Sequence, residues 1–106
     1  MSPKVIHWDR AWGPLSEQAM QQRLEAEGYS VSQYHYPPGT CFPPHTHLMD
    51  KKDTVLRGCL KIGWEGGSAV LERGDMIEIP AGFSHSAEVV GQETVVSLDA
   101  TKAPET

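Results

Sequence analysis

From Tyr29 onward the chain is interrupted by glycine and proline at intervals of about 8 to 12 residues, and that spacing limits what it can fold into. Between the interruptions lie runs too short for helices and rich in β-branched and aromatic residues. They are YSVSQYHY (29–36) before PPG, CFPPHTH (41–47), and TVLRGCLKIGW (54–64) before EGG. SAVLE (68–72), MIEIP (76–80), SHSAEVV (84–90) and TVVSLDA (94–100) follow, each bounded by a turn such as RGD or AGF. Residues 4–8 add a candidate edge strand. Short strands at this spacing are the mark of a sandwich or barrel, and a closed or two-sheet form also protects the strand edges.

One segment breaks the pattern. Residues 14–27, PLSEQAMQQRLEAE, carry a loose apolar stripe of helical period through Leu15, Ala19, Met20 and Leu24. Ser16 can accept from the free amides of the first turn, Glu17 suits its positive end, and Gly28 can adopt the left-handed turn that ends a helix. The stripe is thin, which predicts one short amphipathic helix lying on the outside of the β structure. A chain of 106 residues has room for one core. The expected organisation is an N-terminal strand and helix packed on the barrel (1–28), the barrel itself (29–100) and a flexible polar tail (101–106).

Acidic residues outnumber basic ones 14 to 9, a net charge of −5. That balance disfavours nucleic acid, whose phosphates need a basic surface, and an anionic membrane surface. The first ten residues, MSPKVIHWDR, hold no apolar run of leader length, so a cytoplasmic location is expected, with Cys41 and Cys59 as free thiols.

The stretch PPHTHLMDKKD (43–53) carries the chemistry. Alternate residues of a strand share a face, so His45 and His47 point the same way and can hold one ion between them. His85 would have to come from another strand to complete the set. Gly74 with Asp75 makes a tight turn, and Pro80 to Gly82 stiffens the segment that presents His85, with Ala87 and Val89 on the same face. A lone buried histidine is more often a hydrogen-bonded core residue than a ligand. Three on two such segments favour a metal.

The two segments, GTCFPPHTHLMDKKDTVLRG (39–58) and GDMIEIPAGFSHSAEV (74–89), resemble the two conserved motifs of the cupin superfamily, G-x5-H-x-H-x3-4-E-x6-G and G-x5-P-x-G-x2-H-x3-N. The resemblance implies an all-β, cupin-type jelly-roll barrel with one short N-terminal helix. It also implies a divalent transition metal (Zn, Fe, Ni, Mn or Cu) inside, held by His45, His47 and His85.

Two positions depart from the family pattern. The glutamate slot holds Lys51, which cannot ligate while protonated, and the asparagine slot holds Val89. Asp50 is the nearest substitute ligand. Leu56, Leu60, Ile62 and Trp64 are the even-numbered apolar set of the next strand, and an unbroken register would turn Asp50 inward and Lys51 outward. A bulge at Gly58 would shift that register and bring Asp53 into competition, and a bland reading makes DKKD a solvated turn. Tyr34, His35, Cys41 and Phe83 are candidate pocket residues, with Tyr36 as another aromatic wall.

The functional expectation is a small cupin-barrel protein acting on or binding a small organic molecule. Its activity would be of dioxygenase, isomerase or lyase type. The alternative is a barrel that binds or senses a small ligand or metal without turnover. Small cupins commonly pair through their N-terminal strands, so a homodimer is expected.

Overall fold

The computed structural model describes residues 3–105. Among the described residues there are nine strands, a 3-10 turn and one helix: β1 (Lys4–His7), the turn Arg10–Trp12, α1 (Glu17–Ala26), β2 (Ser30–Tyr36), β3 (Cys41–His45), β4 (Asp50–Thr54), β5 (Cys59–Trp64), β6 (Gly67–Leu71), β7 (Asp75–Ile79), β8 (His85–Val90) and β9 (Val95–Lys102). The strands form two antiparallel sheets, one in the order β1-β7-β4-β9-β2 and one in the order β3-β8-β5-β6. This is the jelly-roll arrangement expected, with the one helix outside it. β1 pairs directly with β7, and β9 runs two residues beyond the expected end of the barrel. Thr106 lies outside the described residues.

Two apolar clusters explain why the sheets are asymmetric. Val55, Leu60, Ile62, Leu71, Ile77, Ile79, Val89 and Val95 fill the space between the sheets. Met20, Leu24, Tyr29, Leu56, Met76, Leu98 and Ala100 form a second cluster that joins α1 to the outer face of the five-stranded sheet. That sheet is therefore buried on both faces, and its central strands do not alternate between apolar and polar. Ser16 caps α1 as expected, its Oγ accepting from the Ala19 amide at 3.0 Å. Trp8 and Trp12 pack edge to face at 5.2 Å beside this second cluster, and the Arg23 guanidinium lies over the Trp12 ring.

The stretch 54–64, expected as one strand, is two. The chain leaves the five-stranded sheet after Thr54 and enters the other at Cys59. Val55 turns into the barrel and Leu56 toward the helix, so the inward parity changes from odd in β4 to even in β5. Gly58, at φ +81°, makes the change possible. A Cβ there would sit 3.1 Å from the Thr94 carbonyl oxygen and from the Val95 Cα. Gly58→Ala should therefore lose roughly 2 kcal/mol from left-handed strain and crowding together. A urea midpoint that falls with an unchanged slope would register it; an unmoved midpoint would show the turn to be tolerant.

Candidate metal centre

β3 carries the first histidine through an irregularity. Cys41 faces Glu88 and Phe42 faces Ala87, but the next pair is His45 with His85, so three steps on β3 match two on β8. The extra residue falls at Pro43–Pro44, where proline has no amide hydrogen to give to a ladder. The bulge brings Phe42 and His45 to one face and sets the imidazoles of His45 and His85 side by side, ring centres 4.5 Å apart. It also turns Cys41 the other way. β3 ends at His45, so His47 arrives from the loop beyond rather than from the same strand, its ring 4.7 Å from His45 and 5.2 Å from His85.

The loop holding His47 and the turn holding His85 are tied together. The Gly82 amide donates to the His47 carbonyl at 2.9 Å, and the Ala81 amide donates to Asp50 Oδ1 at 2.8 Å. Asp50 thus braces the turn that presents His85 and lies outside the three-histidine group, and the inward orientation expected from the unbroken register is corrected. The parity change at Gly58 is the physical reason: Lys51 and Asp53 face the barrel interior, and Asp50 does not.

Two of the three rings are held by identifiable partners. His45 Nδ1 lies 2.7 Å from the Pro43 carbonyl, and His85 Nδ1 lies 3.0 Å from the Phe83 carbonyl. A carbonyl only accepts, so each Nδ1 carries a proton, and in the neutral ring that leaves the lone pair on Nε2. His47 Nε2 is buried without a hydrogen-bond partner. One nitrogen from each ring lies within 4.8 Å of the others. Burial, reinforced by Lys51 and the other imidazoles, pushes His47 down to about 4, and burial also lowers His85. Neutral imidazole is the ligating form at neutral pH. The residues therefore fit a divalent transition metal, and among the described residues no carboxylate or thiol joins the group.

A cavity of about 170 Å³ adjoins the three imidazoles. Phe42, Leu60 and Ala87 give it apolar walls; Tyr36, Lys51, Asp53, Ser97 and Asp99 line it as well. Lys51 Nζ lies 2.9 Å from Asp99 Oδ2 and 3.3 Å from Asp53 Oδ1, with all three side chains largely buried. Asp53 and Asp99 face each other across the β4–β9 ladder. Burial and then the Asp99 charge push the Asp53 carboxyl up to about 7, against the pull of Lys51. Burial opposes the Lys51 charge, but Asp53 and Asp99 outweigh it and hold the ammonium above its ordinary range. Burial, with Asp99 and Asp53, lifts the Tyr36 hydroxyl to about 12.

The other expected pocket residues lie elsewhere. Tyr34 is 46% exposed and stacks on Tyr36 at the sheet edge. His35, the next residue on β2, is exposed. Cys41 is exposed and lines a larger open groove of about 680 Å³ that neither His45 nor His47 borders. Phe83 packs into the inter-sheet core and reaches the site only through its carbonyl. Asp99 and Ser97 were hidden in the sequence because β9 is buried on both faces. There Val95, Ser97 and Asp99 alternate with Leu98 and Ala100.

Comparison with known proteins agrees with this architecture. No curated protein matches the chain by sequence. A Thermotoga maritima protein of the DUF861 family superposes with a TM-score of 0.62 at 18% identity, covering 95% of this chain and 100% of its own. KdgF from a Halomonas species gives 0.61 at 22% identity, covering 74% of this chain and 71% of its own. The DMSP lyase DddQ from Ruegeria pomeroyi gives 0.64 at 21% identity, covering 71% of this chain and 38% of its own. At these identities the likeness is one of fold. The profile of the ChrR cupin-like domain matches residues 4–103, nearly the whole chain, which therefore belongs to that family within the cupin superfamily.

Proposed function

We propose that this protein is a metal-dependent enzyme of dioxygenase, isomerase or lyase type. It would hold a divalent transition metal on His45, His47 and His85 and act on a small organic molecule. The observation that carries the reading is the convergence of three imidazoles, two oriented by backbone carbonyls at Nδ1 and one with a buried unpartnered nitrogen. Three protein ligands leave coordination positions open, and a metal there supplies Lewis acidity to whatever occupies them. Zinc, iron, nickel and copper all suit imidazole, so the cell's supply takes part in the choice. Phe42, Leu60 and Ala87 give one side of the cavity apolar walls, and Tyr36 and Lys51 present proton donors on the other beside the two aspartates. A cavity of about 170 Å³ is well below the range of about 300 to 1,000 Å³ usual for larger ligands, which supports a small substrate. A lyase is among the proteins that share the fold. Cys41 and Cys59 are free thiols, which suits a reducing compartment such as the cytoplasm.

Elemental analysis of protein purified without a nickel column tests the metal. About one transition-metal ion per chain is expected, and a folded protein with only traces would overturn the reading. Oxygen uptake by the iron-loaded protein against small diketones, thiols and phenols tests the dioxygenase branch. Product analysis after incubation with small hydroxy acids tests the isomerase and lyase branches. Silence in every assay from a metal-replete protein would leave a ligand-binding barrel without turnover.

A further inference from the structure

Lys51 is the feature that the metal reading does not use. Its ammonium has three protons to donate. Asp99 Oδ2, at 2.9 Å, takes one, and Asp53 Oδ1, at 3.3 Å, stands at ion-pair distance for a second. The third has no partner among the described residues. The side chain is only 10% exposed, yet it lines the same cavity as all three imidazoles. The Oδ1 atoms of Asp53 and Asp99 are also buried without hydrogen-bond partners in this cavity, so it is the lysine's uncommitted proton together with a dication on the imidazoles that makes a place for negative charge on a ligand. Burial among Phe42, Leu60 and Ala87 strengthens electrostatic interactions there relative to bulk water. The two carboxyls set the lysine's part: they hold it protonated, so it donates a hydrogen bond and does not serve as a base.

We propose that Lys51 is the second anchor for an anionic substrate, a small carboxylate or enolate. One oxygen of that substrate would take an open position on the ion held by the three imidazoles while another accepts from the Lys51 ammonium. This rests on the metal-centre reading above and adds to it the charge class of the ligand. Uncharged isosteres fill the same volume but leave the lysine proton unanswered.

Pyruvate and pyruvamide are a matched pair of probes, equal in size and differing in charge. Their affinities for zinc-loaded protein, measured by calorimetry with the zinc content of each sample checked in parallel, test the proposal. The wild type should prefer pyruvate by tenfold or more. Lys51→Gln should weaken pyruvate about tenfold and leave pyruvamide nearly unchanged, and Lys51→Arg should recover most of the difference. Because Lys51→Gln leaves two carboxyls facing each other, the charge-balanced double variant Lys51→Gln with Asp99→Asn keeps the test available if the single variant fails to fold. A pyruvate-to-pyruvamide ratio that is the same with and without Lys51 overturns the proposal, as does a wild type that binds neither probe. Failure of the metal reading looks different: zinc is not retained, while any preference that depends on Lys51 persists in the metal-free protein.

Discussion

His45→Ala should strip the protein of stoichiometric metal and leave its barrel folded. The two effects differ in size because the ring makes unequal contributions to them. Structurally, His45 is half-buried at the end of β3, and its one intramolecular hydrogen bond is to the Pro43 carbonyl. Losing that bond costs about 1 kcal/mol, or about 4–8 °C in melting temperature for a domain near this size. As a ligand, however, the ring is one of three. Loss of a residue that merely supports a metal ligand typically costs 10–100-fold in affinity, so loss of a ligand itself should cost about 100-fold or more. Metal at 100 times its dissociation constant stabilises the folded state by about 2.7 kcal/mol. The wild type should therefore melt about 10 °C higher or more with metal than with chelator, and His45→Ala should show almost none of that gap. If the variant instead unfolds with or without metal, the histidine is a structural residue and the metal reading loses its main support.

The sequence disclosed the three histidines and concealed their surroundings, for identifiable reasons. His45, His47 and His85 were legible because motif spacing survives local irregularity: the bulge at Pro43–Pro44 and the early end of β3 still deliver all three rings to one point. The neighbours were read by counting parity, and parity does not survive a bulge. One extra residue in β3 sends Cys41 to the outer surface and Phe42 to the cavity. The change of sheet at Gly58 reverses Asp50 and Lys51 in the same way. The bland alternative of a solvated turn at DKKD rests on charged residues usually being solvated, yet β4 is a central strand with α1 on one side and the other sheet on the other. Its charges are neutralised on both faces, Lys52 by Glu27 at 2.8 Å and Lys51 by Asp99 at 2.9 Å. The glycine that permits the switch was visible as a candidate irregularity; only the paired strands show which way it turns the chain.

Lys51→Met should destabilise the metal-free protein by about 3–5 kcal/mol at pH 8, the usual cost of removing one partner from a buried ion pair, and by clearly less at pH 5. The pH dependence follows from Asp53. Its folded-state value is about 7 against an ordinary 3.8, so between those limits the folded protein holds a proton that the unfolded chain releases. The contribution from this group is therefore favourable at low pH and is lost as pH rises through 7. In the wild type Lys51 limits the loss by compensating the two carboxylates that face each other across β4 and β9. Without the ammonium nothing offsets their repulsion, so the gap between variant and wild type should widen with every step above neutrality. His47 contributes with the opposite sign, since its lowered value gives stability present above its ordinary 6.5 and lost as pH falls toward 4. Lys51 is one cause of that lowering, so its removal eases the acid-side loss and widens the contrast between pH 5 and pH 8 further. Asp53→Asn supplies the complementary measurement, because an amide there resembles the protonated acid. It should melt close to the wild type at pH 5 and above it at pH 8. Melts of the three proteins in chelator from pH 5 to 8 distinguish the cases. An equal penalty for Lys51→Met at both ends would mean that Asp53 and Asp99 do not share the site as a coupled pair, and that the lysine acts there through packing alone.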